Sequence, residues 1–234
     1  MRFCAVSSGS SGNCTFIETG EHRLLIDVGL SARTIEQLLL AKKIDPATIT
    51  AIFVTHEHMD HIKGVGVWAR RYKIPVMATA GTWKGMEKSI GAVAGEHRVE
   101  IVSGKGYRMG DLRIVAIPTC HDANDPCAYS VESGGRKVSV ITDTGVATQT
   151  MFEHLCESDI AVIESNHDID MLMKGPYPMA LKRRIRSNLG HLSEENNRPP
   201  LALSTVAGIV SERWGISGPI DLTAREQSTD MYLV

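Results

Sequence analysis

A seven-residue stretch, Thr55–His61 (THEHMDH), concentrates side chains of the types that bind metal ions. His56 and His58 alternate, so on extended backbone they point the same way, and Asp60 and His61 follow where the chain turns into a helix. Imidazole and carboxylate groups together are suitable ligands for Zn²⁺, and also for Mn²⁺ or Fe²⁺. Four such groups within six residues exceed what one ion usually takes from a single loop. The stretch therefore predicts two adjacent divalent metal ions at the carboxyl end of the apolar strand AIFV that precedes it.

The rest of the chain must supply the elements that place this stretch. A chain of 234 residues that is 43% hydrophobic can bury a large core. Short β-rich segments come first in meanders and then alternate with helical segments, among them a helix predicted over 62–72. This order predicts an α/β fold, with two packed sheets and helices on the outside in an αββα sandwich. Because no low-complexity segment or clear linker divides the chain, residues 1–234 are expected to form a single domain.

Composition argues against several classes of protein. The net charge of -2 gives no global basic field for nucleic acid, although the basic run 182–186 (KRRIR) could follow a nucleic-acid backbone or form a solvated helix face. The N-terminus lacks the apolar stretch of a signal peptide, and no run approaches the ~18 apolar residues of a membrane span. Five scattered cysteines without a CxxC pair indicate reduced thiols. We expect a cytoplasmic protein with no membrane segment.

The stretch THEHMDH resembles the HxHxDH signature of the metallo-β-lactamase fold superfamily, whose αββα sandwich carries a metal site along one edge. The resemblance continues in chain order. Asp27 in LLIDVGL corresponds to an aspartate that ends an early strand, and His121 in IPTCHDA corresponds to a histidine that follows a later strand. Asp143 in VITDTG corresponds to the aspartate that bridges both metals. His191 in LGHLSEENN is the residue available for the final histidine, which closes the second metal site.

Further segments are similar to the YycJ/WalJ-type subfamily of this superfamily. They span nearly the whole chain and read SSGSSGN, CHDANDPCAYSVESGG, VITDTG, IESNHD, GPYP, LKRRIRSNLGHLS and HLSEENN. The resemblance implies a two-metal hydrolase that acts as a 5′-to-3′ DNA exonuclease and is linked to DNA mismatch repair. It further implies two divalent metal ions, zinc or manganese, and a nucleic-acid substrate, DNA rather than RNA.

The resemblance also implies a role for each candidate ligand. The first metal is expected to bind His56, His58 and His121. The second is expected to bind Asp60, which also acts in catalysis, with His61 and His191, and Asp143 is expected to bridge the two. Two ions ~3.5–4 Å apart lower the pKa of a shared water and clamp a phosphodiester for in-line attack by hydroxide.

Five other residues are candidates for roles around the metals. Asp27 is expected to brace the histidine loop by hydrogen bonds rather than to touch metal. His167 could contact phosphate, protonate the leaving oxygen or have a structural role, and Asn166 could donate a hydrogen bond there. Ser8 and Asn13 lie in the loop SSGSSGN, whose backbone N–H groups could bind a terminal phosphate.

The chain departs from the subfamily pattern after about residue 193. In the subfamily, a helix and a strand separate GHLSN from a second HLS segment that runs into EENN. Here Ser193 passes directly into Glu194, so a helix–strand segment is expected to be missing. His191 would then lack the strand that normally holds it, and activity could be weakened or lost.

Two other functions remain open at this point. One is a thioesterase-like hydrolase of small molecules with the same fold. The other is a degenerate member that binds metal without turnover. A zinc β-lactamase of the exported kind is disfavoured, because the chain lacks an export signal and has Asp143 where such enzymes often have cysteine.

Overall fold

A computed structural model describes residues 1–163, 174 and 228–234 of the chain. The described residues form twelve strands and five α-helices. The strands are β1 Arg2–Ser7, β2 Cys14–Glu18, β3 Arg23–Ile26, β4 Ala51–Phe53, β5 Val76–Thr79, β6 Arg98–Ile101, β7 Gly106–Met109, β8 Leu112–Pro118, β9 Cys127–Ser133, β10 Arg136–Ile141, β11 Ile160–Ile163 and β12 Tyr232–Leu233. The helices are α1 Ala32–Ala41, α2 Met59–Ile62, α3 Val65–Tyr72, α4 Ala80–Ile90 and α5 Gln149–Cys156.

The strands form two mixed sheets. The first has seven strands in the order β12-β1-β2-β3-β4-β5-β6, and the second has five in the order β11-β10-β9-β8-β7. Strands β3 to β6 are parallel neighbours in the first sheet, whereas the second sheet is antiparallel except for β10 and β11.

Apolar residues divide the described part of the molecule into four layers. One buried cluster lies between the sheets and joins Phe3, Leu24 and Phe53 to Ile114 and Tyr129. A second cluster packs helices α1, α3 and α4 on the outer face of the first sheet, and a third packs Met151 of α5 on the second sheet. The order helix, sheet, sheet, helix confirms the predicted αββα sandwich. Within the described residues, no helix has the length and apolar character needed to cross a membrane.

One edge of the sandwich gathers the carboxyl ends of several strands. The parallel strands β3, β4 and β5 end there side by side, because Ile26 pairs with Phe53 and Phe53 with Met77. The second sheet is tied to the same edge, since the Tyr129 hydroxyl donates to the Val54 carbonyl at 2.8 Å. Loops leaving both sheets therefore meet at this edge.

The helix predicted over 62–72 is confirmed from residue 65 onward as α3, whereas Ile62 belongs to the separate short helix α2. The break lies at Gly64, whose N–H donates to the Val28 carbonyl at 2.8 Å instead of continuing the first helix. A Cβ at Gly64 would lie 2.6 Å from the Leu30 carbonyl oxygen, so a glycine is required for this close approach. The sequence also predicts helices over 179–186 and 201–213, and both segments lie outside the described residues.

Candidate metal centre

The structure brings six of the predicted ligands together at the edge where the strands end. His56 and His58 follow β4, Asp60 and His61 lie on the short helix α2, His121 follows β8, and Asp143 follows β10. The segment after β4 in the first sheet and two loops of the second sheet thus contribute to one cluster.

Three imidazoles form what we call the histidine triad, which consists of His56, His58 and His121. The Nδ1 atom of His58 lies 3.0 Å from Nε2 of His56 and 3.1 Å from Nε2 of His121. Nitrogen ligands of a tetrahedral zinc ion, at 2.0–2.1 Å from the metal, would be separated by about 3.3 Å. Since a neutral imidazole has only one N–H, three nitrogens that converge on one point are poorly satisfied by hydrogen bonds alone. The triad therefore suits a divalent cation.

A second set, which we call the buried group, consists of His56, His61 and Asp143. Its ligand atoms all lie within 4.8 Å of one another. Nε2 of His61 is 3.0 Å from Oδ2 of Asp143 and 3.6 Å from Oδ2 of Asp60. The two sets share His56, so the cluster offers overlapping positions for metal ions. The fold and this cluster indicate divalent-metal binding.

Asp27 lies behind the cluster and orients it. Its Oδ1 accepts from the Thr55 N–H, and its Oδ2 accepts from the Thr55 hydroxyl, each at 2.8 Å. Oδ2 also lies 2.8 Å from Nδ1 of His61. If Nδ1 of His61 carries the proton and donates it to Asp27, Nε2 keeps a lone pair that faces Asp60 and Asp143. This geometry makes His61 a ready ligand and leaves Asp27 without a direct place in the cluster.

Both buried aspartates leave their strands in the left-handed backbone region. Asp27 has φ 61° and Asp143 has φ 52°. Aspartate and asparagine tolerate this conformation better than most residues, because their short polar side chains can hydrogen-bond locally. Each sharp turn aims a carboxylate at His61 from a different sheet.

Burial and neighbouring charges set the protonation of the histidines. Burial lowers the pKa of His56 well below its usual range, and burial also lowers the pKa of His121. Both therefore favour the neutral form that binds metal. Burial opposes protonation of His61 as well, but the charges of Asp143 and Asp27 outweigh it and raise the pKa of His61 well above its usual range. The pair of carboxylates around His61 is thus an environment that favours positive charge.

The cluster is closed on one side and open on the other. The cluster members His56, His61 and Asp143 are buried, as is Asp27 behind them. The remaining members His58, Asp60 and His121 are half-buried. A substrate would therefore approach from the side of these three.

The loop 7–13 braces the cluster from the first sheet. Nδ2 of Asn13 lies 3.1 Å from Nε2 of His61, and the Asn13 N–H donates to the Asp60 carbonyl at 2.8 Å. The N–H groups of Gly9 and Gly12 donate within the loop, to the Asn13 side chain and the Gly9 carbonyl. These three N–H groups are therefore already satisfied and are not available to a phosphate. Ser8 is half-buried, and within the described residues its side chain makes no hydrogen bond to the cluster.

Several predicted residues have no described position. His191, His167, Asn166 and the basic run 182–186 lie outside the described residues. Their roles stay predictions.

Two residues of the stretch 55–61 contribute to the site although no role was predicted for them. They are Thr55 and Glu57. Thr55 connects Asp27 to the histidines, with its hydroxyl 3.0 Å from Nδ1 of His56 and 3.2 Å from Nδ1 of His61. Its place beside the end of β3 follows from the parallel pairing of β3 with β4. Glu57 alternates with His56 and His58 and so faces the other way, where its carboxylate accepts from the Asn124 N–H at 2.8 Å.

Comparison with known proteins finds relatives in the family that the sequence predicts. A model of the beta-lactamase superfamily domain matches residues 22–195. The chain is 39% identical to exodeoxyribonuclease YycJ of Bacillus anthracis over 196 residues, which cover 84% of this chain and 74% of that protein. It is also 39% identical to exodeoxyribonuclease WalJ of Streptococcus pneumoniae (strain D39) over 198 residues, with the same two coverages.

A solved structure supports the fold independently. Zinc-bound PqqB from Methylobacterium extorquens superposes with a TM-score of 0.62 at 16% identity, over 84% of this chain and 83% of that one. At this identity the likeness concerns the fold alone. Together with the sequence matches, it confirms the predicted family and fold class. The chain therefore belongs to the beta-lactamase superfamily, a superfamily of metal-dependent hydrolases, and within it to the group of YycJ and WalJ.

Proposed function

We propose that the protein is a two-metal phosphodiesterase that acts as a 5′-to-3′ DNA exonuclease. The observation that carries this proposal is the pair of overlapping ligand sets at one edge of the sandwich, the histidine triad and the buried group. The relatives at 39% identity are exodeoxyribonucleases by name, which supports DNA as the substrate.

The two sets support separate roles for their members. The triad would hold one metal, and His61 with Asp60 would hold the other. Asp143 lies 3.0 Å from His61 and within 4.8 Å of a His56 nitrogen, which supports a bridging role. His191 remains our proposal for the last ligand of the second metal. Zinc and manganese both suit this mixed set of imidazoles and carboxylates.

The composition of the cluster favours an anionic substrate. Four imidazoles (His56, His58, His61 and His121) and two carboxylates (Asp60 and Asp143) would surround the two ions. Because imidazole is neutral when it binds metal, the ions would keep much of their charge for a phosphate and its more highly charged transition state. When bound, the ions supply Lewis acidity and lower the pKa of water.

The chain's own residues would hold and orient the substrate. Asp27 and Thr55 fix the His61 ring, so the buried side of the cluster is preorganised. Asp60 is half-buried at the open side, where its carboxylate can accept a hydrogen bond from a water and orient it. His167 and Asn166 would contact the substrate from the segment that follows β11.

We further propose one domain over residues 1–234 that lacks the helix–strand segment after about residue 193. In this proposal the missing segment affects the second metal through His191 and leaves the triad intact. A cytoplasmic location, which fits five cysteines without a CxxC pair, and a role in DNA repair, which the resemblance to YycJ and WalJ implies, are part of the proposal.

A direct assay tests the proposed activity. Purified protein with Mn²⁺ or Zn²⁺ is incubated with 5′-phosphorylated duplex DNA that carries a label at its 3′ end, and in parallel with a thioester substrate. We expect nucleotides to be released from the 5′ end, so that the 3′-labelled strand shortens progressively, and no thioester hydrolysis.

A matched pair of variants ties that activity to the cluster. His58→Gln should abolish cleavage, whereas His97→Gln, which changes a half-buried histidine far from the cluster in sequence and fold, should leave it unchanged. Thioester hydrolysis without DNA cleavage would replace the proposal by the thioesterase alternative. Tight binding of metal without turnover on either substrate would favour a degenerate member.

A further inference from the structure

Among the described residues, one ring nitrogen of His121 has no hydrogen-bond partner. Its Nε2 faces His58 at 3.1 Å, but its Nδ1 is shut off from solvent and has no hydrogen-bond partner among the described residues. Metal-binding histidines usually donate their second N–H to a carboxylate, a carbonyl or a water, which fixes the ring. The position of the His121 ring must therefore depend on the backbone that carries it.

That backbone is the connection between β8 and β9, residues 119–126, which we call the His121 loop. Three side chains from the first sheet and its helix hold it. The Asn124 N–H donates to Oε1 of Glu57 at 2.8 Å. The Asp125 carbonyl accepts from the hydroxyls of Thr79 at 2.7 Å and Thr82 at 3.3 Å. The loop is thus tied to the other sheet rather than only to its own.

Helix α4 presents a glycine face to the same loop. Gly81 and Gly85 are four residues apart and so lie on one side of the helix. A Cβ at Gly81 would lie 2.5 Å from the Cβ of Asp125, and a Cβ at Gly85 would lie 2.5 Å from the Cγ of Glu57. Both separations are shorter than real Cβ contacts, so only glycine lets the loop and Glu57 pack this closely.

The carboxylate of Glu57 is only partly satisfied by hydrogen bonds. Its Oε2 is buried and has no hydrogen-bond partner among the described residues, while Oε1 holds the loop. An unsatisfied buried acceptor destabilises the folded state. Glu57 lies between two triad histidines in the chain, so its hydrogen bond to Asn124 links the segment that carries His56 and His58 to the loop that carries His121.

We propose that Glu57 is a positioning residue for the metal centre. By accepting the Asn124 N–H against the glycine face of α4, it keeps the His121 loop where Nε2 of His121 completes the triad. This inference rests on the proposed role of His121 as a metal ligand, but it does not depend on which substrate the enzyme cleaves.

The test measures metal binding, not turnover. Co²⁺ is titrated at up to one equivalent into wild type, Glu57→Ala and Glu57→Gln, with a competing chelator to give the affinity and visible absorption to report the coordination geometry. Glu57→Ala should lower the Co²⁺ affinity roughly 10- to 100-fold and change the absorption. Glu57→Gln should stay close to wild type, because its amide oxygen can still accept from Asn124.

Two further variants complete the test, one that disturbs the same contact from helix α4 and one that serves as a control. Gly85→Ala intrudes on the same contact from the helix and should reproduce the loss, even if Glu57→Ala fails to fold. Glu36→Ala removes a glutamate that holds Arg71 and Tyr72 elsewhere, and it should leave the Co²⁺ affinity unchanged.

Folded Glu57→Ala or Gly85→Ala protein with the wild-type affinity and spectrum would overturn the proposal, as would Glu57→Gln binding no better than Glu57→Ala. If wild type binds Co²⁺ but cleaves no DNA, the nuclease assignment fails while these comparisons still decide the role of Glu57.

Discussion

Replacement of Asp27 by asparagine tests whether the Asp27 carboxylate orients the His61 ring. The asparagine side chain has the same size and tolerates φ 61°, so the backbone should not change. Its carbonyl oxygen can still accept from the Thr55 N–H. Its NH₂ group, however, would face two groups that now donate to Oδ2, the Thr55 hydroxyl and Nδ1 of His61.

The His61 ring can then adopt either of two tautomers, and each is expected to lower the affinity for the metal ion. It can accept at Nδ1, which places the proton on Nε2 and removes the lone pair that faces Asp143. Alternatively it can keep its tautomer and lose a hydrogen bond to a charged group, worth about 1.5–3 kcal/mol. At about 1.4 kcal/mol for each tenfold change, this corresponds to a loss of roughly 10- to 100-fold in affinity.

Competition of Mn²⁺ or Zn²⁺ between the protein and a chromophoric chelator measures this loss. We expect Asp27→Asn to weaken the ion at His61 and to leave the ion at the histidine triad nearly unchanged. Asp45→Asn is the matched control, since Asp45 also accepts a backbone N–H, that of Ala47 at 2.9 Å, on an exposed turn. Two ions bound to Asp27→Asn as tightly as to wild type would refute the proposed orienting role.

Three further outcomes follow from the described contacts. Chelation of bound metal should lower the thermal unfolding temperature, by an amount that grows with metal affinity, as calorimetry of treated and reloaded protein can show. Gly29→Ala should lower the free energy of unfolding in urea titrations by about 3 kcal/mol or more, because its Cβ would lie 1.7 Å from the Asp60 carbonyl oxygen. Gly20→Ala is the control and should lower the free energy of unfolding far less, since a Cβ there would lie in open space. Iodoacetamide at pH 8 should label two of the five native thiols by mass spectrometry, since burial protects the others and raises the pKa of Cys127 to about 12. The labelled thiols should be Cys120 and Cys156.

The αββα sandwich and the meeting of the predicted metal ligands at one edge could be predicted from the sequence, because both follow from the order and pairing of the strands. Parallel strands end at one sheet edge, so Asp27 and the start of the stretch 55–61 had to be neighbours once β3 and β4 paired. Glycine in short turns predicts hairpins at residues 109–112 and 133–136, and the structure has both, with positive φ at Gly110 and Gly134.

Other features depend on tertiary contacts that no local pattern reveals. Gly64 ends α2 because of Val28 and Leu30, which lie more than thirty residues earlier in the chain. The contact of Glu57 with Asn124 joins the two sheets across 67 positions. Neither contact has a periodicity or a motif of its own, so the helix break and the contact between Glu57 and the His121 loop follow only from the three-dimensional structure.

The left-handed turns at Asp27 and Asp143 affect how this centre can be dissected by mutation. A conventional alanine scan would force a β-carbon-bearing, non-polar residue into φ 61° or φ 52°, at a cost of roughly 1–2 kcal/mol per site that has nothing to do with cations. Glycine and asparagine substitutions at each aspartate avoid that penalty. The difference between Asp143→Ala and Asp143→Gly would therefore report backbone effects, namely the left-handed strain of alanine set against the larger unfolded-state entropy of glycine. Asp143→Asn, which keeps the side-chain size, would report the loss of the carboxylate.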